Sequence, residues 1–84
     1  MAVKHEKTLA RIFKNPIRSD VDWQDIIALL QHMGAEISEG RGSRVRIALN
    51  GIRAVFHRPH PGKETDKGAL KSMRRFLAEA GVKP

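Results

Sequence analysis

Apolar residues in this chain repeat first at helical spacing, then on alternate residues, then at helical spacing again. Leu9, Ile12 and Phe13 lie three and four apart and are followed by Asn15-Pro16, so the opening residues predict a short helical arm that stops there. The stretch "DWQDIIALLQHMG" predicts a longer helix. Asp22 is its N-cap, Asp25 lies in its first turn and Gly34 is its stop, with Trp23, Ile26, Ile27, Leu30 and Met33 forming one apolar face. His32 falls in its last turn, where a cation suits the helix dipole.

Beyond Gly34 the period drops to two. "AEISE" predicts a short strand, "GRG" at 40 to 42 a turn, and "SRVRIAL" an alternating strand. Asn50-Gly51 predicts a type I′ hairpin turn into "IRAVFHR". A two-residue loop pairs Leu49 with Ile52 and puts Val45, Ile47, Leu49, Ile52, Ala54 and Phe56 on the core face. The other face then carries Arg44 opposite His57, Arg46 opposite Val55, and Ala48 opposite Arg53. Pro59 and Pro61 end strand pairing and hold the next loop extended, with Gly62 loosening it. A last helix follows, capped by Thr65 or Asp66 and stopped by Gly81, with Ala69, Leu70, Met73, Phe76, Leu77 and Ala80 as its buried stripe. The order predicts a two-layer α+β domain of type α-β-β-β-α over residues 21–84, both helices on one face of an antiparallel sheet, preceded by the arm at 1–20. Residues 15 to 20 are the one linker-like piece.

Charge sharpens the picture. Sixteen Lys and Arg against nine Asp and Glu give a formal net charge of +7, which calls for a polyanionic or acidic partner. The uncovered sheet face collects Arg44, Arg46, Arg53 and His57, and the last helix carries Lys67, Lys71, Arg74 and Arg75 in a basic row. Both can follow an RNA backbone. Stacking on bases is disfavoured, because Trp23, Phe56 and Phe76 fall on core faces and tyrosine is absent. A DNA-binding regulator is a weaker reading, since the sheet separates the two main helices.

The chemistry open to the chain is narrow. With no cysteine there is no disulfide, thiolate nucleophile or thiolate zinc site. His57 and His60 are three apart, but Pro59 and Pro61 forbid the helix that would turn that spacing into a metal pair, so no metal and no small-molecule cofactor is expected. Ser43 has no acid in view to complete a triad and reads as a strand-start hydroxyl. What remains is metal-free RNA cleavage. His57 or His60 would move protons, Lys63 would neutralise developing charge, and Arg44, Arg46 and Arg53 would hold phosphate. The competing reading makes both histidines surface residues of a domain that only binds RNA. No run approaches the ~20 apolar residues of a membrane span and no signal pattern opens the chain, so a soluble, cytoplasmic protein with no membrane partner is expected.

Three stretches carry a family resemblance: Gly42-Ser43 opening a strand, "PHPGKE" at 59 to 64, and "KGALKSMRRFLAEAGV" from 67. Over about residues 22 to 82 the chain resembles the HicA toxins of bacterial toxin–antitoxin pairs. The resemblance implies a small double-stranded-RNA-binding-like α-β-β-β-α fold. It also implies a ribosome-independent mRNA endonuclease silenced by a HicB-type antitoxin. His60, Gly62 and Lys63 match the family pattern. The family usually has its cleavage-associated histidine directly after the Gly-Ser, where this chain has Arg44. Arginine is no general base at neutral pH. Three outcomes follow: His57 takes the base role from across the strand pair, His60 takes it, or the chain binds RNA and antitoxin without efficient cleavage.

Overall fold

The computed structural model describes residues 3–60 and 62–84, so the expectation for Pro61 lies outside the described residues. In chain order the elements are α1 (Val3–Phe13), β1 (Val21–Asp22), α2 (Trp23–His32), β2 (Glu36–Glu39), β3 (Arg44–Leu49), β4 (Ile52–His57), β5 (Glu64–Thr65) and α3 (Lys67–Glu79). The fold is α+β, with helices on one face of a three-stranded antiparallel sheet ordered β2-β3-β4.

The hairpin forms as its turn residues require. Asn50 at φ 51° and Gly51 at φ 81° both take left-handed backbone, the signature of a type I′ turn. Leu49 therefore pairs with Ile52, and the register runs out to Arg44 opposite His57. Val45, Ile47, Leu49 and Phe56 are buried beneath the helices, with Ile52 and Ala54 half-buried beside them. β2 adds to the far side of β3, setting Ile37 against Ile47.

Both main helices are capped by aspartate. The Gln24 N–H donates to Asp22 Oδ1 at 2.8 Å, and the Ala69 N–H donates to Asp66 Oδ1 at 2.7 Å. Thr65 is not the cap of α3. It lies in β5 and is almost wholly buried. The stripe of α3 buries Leu70, Met73, Phe76, Leu77 and Ala80, with Ala69 at its margin. On α2 the buried set is Trp23, Ile26, Leu29 and Leu30, while Ile27 and Met33 lie half-buried at the periphery. One stripe facing a sheet would exclude Leu29. It is buried because α2 packs against α1 as well as the rest of the domain, which widens its apolar arc.

The opening helix is part of the core. Leu9 and Ile12 join the same buried cluster as α2 and α3. Arg74 of α3 holds its C-terminal end: Nε donates to the Ile12 carbonyl at 3.0 Å, Nη2 to the Lys14 carbonyl at 2.8 Å, and Nη1 to Asn15 Oδ1 at 3.0 Å. The same guanidinium stands 6.0 Å from the Phe13 ring centroid. The radius of gyration, 11.8 Å, is that of a chain with α1 folded back rather than extended; a compact domain of this length has ~12 Å.

A second, two-stranded sheet pairs β1 with β5. Val21 pairs with Thr65 and Asp22 with Glu64, and the Trp23 N–H donates to the Lys63 carbonyl at 2.9 Å. The linker at 15–20 thus leads into a strand, and the loop after β4 ends in one. Strands of two residues show no alternation, so the pattern of the chain could not reveal them.

Candidate nucleic-acid interface

The open face of the sheet reads as three rows. Glu36, Ala48 and Arg53 form one, Ser38, Arg46 and Val55 the next, and Arg44 with His57 the last. All are exposed except Ala48, which is half-buried. Glu36, Ser38, Arg46, Arg53 and Val55 rim a shallow depression of about 470 Å³ with Ala48 at its floor. Three arginines against one glutamate make this face cationic.

At the end of the sheet the backbone sets the geometry. The Arg58 N–H donates to the Ser43 carbonyl at 2.8 Å, so Ser43 and Arg58 are a hydrogen-bonded pair. The pattern alternates along the strands, which makes Arg44 and His57 a non-hydrogen-bonded pair with Cα atoms about 4.5 Å apart, the closer of the two spacings. His57 Nδ1 lies 3.4 Å from Ser43 Oγ. Arg58 reaches across the sheet end to Glu39, Nη2 to Oε1 at 2.6 Å, with the Arg58 side chain half-buried and that of Glu39 largely in solvent.

The other expected site residues fall elsewhere. His60 and Lys63 are exposed in the connection between β4 and β5. The Lys63 carbonyl anchors the start of α2, while its side chain is in solvent. Lys67 and Lys71 are exposed on α3, in the helical layer rather than on the open sheet face. Arg75 lies beside the β4 edge, lining a groove with Phe76 and Ala54. Arg74 does not belong to the exposed basic row. Its guanidinium is taken up by the end of α1, because the helix position one turn from Leu70 faces that element.

Ser43 is a neighbour of His57 that the alternation of the strands does not single out, and the Glu39–Arg58 ion pair lies at the same end of the sheet. The signal for Ser43 was its place directly before Arg44, which the hairpin register carries opposite the end of β4. Nothing local marked Glu39 and Arg58 as partners. Among the described residues no group of three or more His, Cys, Asp or Glu side chains is placed to hold a metal ion. No helix there is long and apolar enough to cross a membrane.

These features define a small basic α+β domain with a cationic open sheet face. The model of the HicA toxin of bacterial toxin–antitoxin systems matches residues 23–82, and the chain belongs to that family. The matched span begins at the first residue of α2 and leaves out α1 and β1. No curated protein and no solved structure matches the chain.

Proposed function

We propose that this HicA-family chain is the cytoplasmic toxin of a type II toxin–antitoxin pair, that it binds mRNA on the open sheet face, and that it cleaves that RNA without a metal. The supporting observation is the cluster at one end of that face: His57 opposite Arg44, one row from Arg46, and 3.4 Å from a hydroxyl. Membership of the family supports pairing with a HicB-type antitoxin.

The chemistry follows from the groups present. When Nδ1–H donates to Ser43 Oγ, the Nε2 lone pair of His57 is free to take the proton of a ribose 2′-hydroxyl. The 2′-oxygen attacks the adjacent phosphorus, the bond to the 5′-oxygen breaks, and a proton must reach that leaving oxygen. In the other tautomer Ser43 Oγ–H donates to Nδ1, and Nε2–H is the donor. Arg44 and Arg46 offer fixed cations to the phosphate oxygens as charge builds on them. His60 and Lys63, exposed in the following loop, supply a second proton carrier and a further cation.

A second reading, RNA binding without cleavage, draws on Arg44, which stands where the family places its histidine. One experiment separates the two: labelled mRNA with the purified chain, with its His57→Ala variant and with its His60→Ala variant, all in excess EDTA. Cleavage by the parent that fails in His57→Ala supports the proposal. Bound, intact RNA with all three proteins leaves the second reading.

A further inference from the structure

β4 is an open edge. It pairs with β3 on one side and with no strand on the other among the described residues. The Arg58–Ser43 bond fixes which backbone groups point where. Ile52, Ala54, Phe56 and Arg58 exchange bonds with β3, so the N–H and C=O groups of Arg53, Val55 and His57 point outward. These three residues are exposed, and Val55, at 57 %, is one of two large hydrophobic residues left in solvent among the described residues.

Alongside that edge runs a groove of about 240 Å³ between β4 and α3, lined by Ala54, Phe56, Ser72, Arg75, Phe76 and Glu79. Its floor is firm: Phe56 and Phe76 meet edge to face at 5.9 Å. Its end is pinned, because Asn50 Nδ2 in the hairpin turn donates to the Ala80 carbonyl at 2.8 Å. An unpaired row of backbone donors and acceptors beside a shallow apolar slot is the geometry of strand addition.

We propose that the β4 edge takes up an acidic, extended segment of a partner polypeptide as a fourth strand. Charge selects the occupant. Arg53 and Arg75 flank the edge, and Glu79 is the one carboxylate lining the groove among the described residues, on a chain of net charge +7. In an antiparallel fourth strand, residues opposite Arg53 and His57 lie on the open face and are acidic. The residue opposite Val55 is small or apolar, and the two between turn towards the groove and are apolar. A second copy of the chain fits poorly. Twofold pairing centred on Val55 would set Arg53 against His57 at both ends and join two chains of +7. This inference does not depend on RNA cleavage.

The test uses the full chain and the peptide acetyl-SEVTVES-amide, with acetyl-SKVTVKS-amide as charge control. Before addition, the amides of Arg53, Val55 and His57 exchange with solvent quickly and those of Ile52, Ala54 and Phe56 slowly. The acidic peptide should slow exchange at the first three by at least tenfold, and the basic peptide should not. N-methylation of the peptide on the edge that meets β4 should abolish the effect, whereas methylation on its other edge should leave it. Val55→Pro removes an outward N–H and no bond to β3, so it should lose the peptide while Ile52, Ala54 and Phe56 stay protected. The proposal fails if the acidic peptide leaves the three amides unprotected or if both methylated peptides act alike. It also fails if the three are already protected by self-association, or if RNA protects them and the peptide does not.

Discussion

His57 and Arg44 face each other across the β3–β4 ladder as a non-hydrogen-bonded pair, with Ser43 Oγ 3.4 Å from the imidazole. A fixed cation and an imidazole are therefore neighbours on one surface. If His57 is the base, His57→Ala should lower cleavage of a labelled mRNA by about 10²- to 10⁴-fold in excess EDTA. Ser43→Ala should lower it less than His57→Ala, because it removes the group that orients the ring and leaves the ring in place. A gel-based time course reads both.

The open face predicts salt-dependent RNA binding. Affinity should fall steeply as salt rises, and Arg46→Ala with Arg53→Ala should flatten the log–log slope by about 1 to 2 while weakening binding across unrelated sequences. Filter binding at several salt concentrations measures it. Unchanged affinity in the double variant would remove this face from the interface.

Arg74 should act on stability rather than on RNA. Its three hydrogen bonds tie α3 to the end of α1, and Arg74→Ala should cost about 1–3 kcal/mol in urea unfolding. Lysine cannot reproduce a three-point guanidinium contact, so Arg74→Lys should recover only part of the loss. RNA affinity of the folded variant should match the parent.

Ile12 is wholly buried between α1 and the rest of the core. Ile12→Ala should cost about 2–5 kcal/mol. The same urea unfolding measurement checks it, and a loss near zero would mean that α1 does not contribute to the cooperative unit.

Arg18 and Asp20 give a pH marker for the segment between α1 and β1. Two bonds of 2.7 Å from the Arg18 guanidinium hold the Asp20 carboxyl down at about 2, against an ordinary 3.8. A depressed carboxylate contributes stability above its ordinary value and loses that contribution as pH falls through the folded one. An NMR titration of Asp20 should therefore show a midpoint near 2, moving up towards 3.8 in Arg18→Ala.

The sheet was legible in the sequence for a definite reason. Asn50-Gly51 fixes a two-residue loop, and a fixed loop fixes every pair on both strands, down to Arg44 opposite His57. Alternation over six residues then assigns the faces, and aspartate caps followed by apolar stripes locate α2 and α3. Local pattern sufficed because each of these features is set by neighbours within a few positions. What lies between distant segments had no such signal. The β1–β5 ribbon joins two dipeptides more than forty positions apart, and its strands are too short to show a period. Arg74 reads as one more cation of a basic row until packing brings the end of α1, about sixty positions away, within reach of its guanidinium. Leu29 is buried by the docking of α1 on α2, and the groove beside β4 exists because α3 lies along that edge. The sequence by itself determined the elements, the register and the residues of the open face, since turn geometry and periodicity are local. Tertiary structure alone decided which cations stay free, which helix face is covered twice and which strand edge is left unpaired, since each depends on how far-separated segments meet.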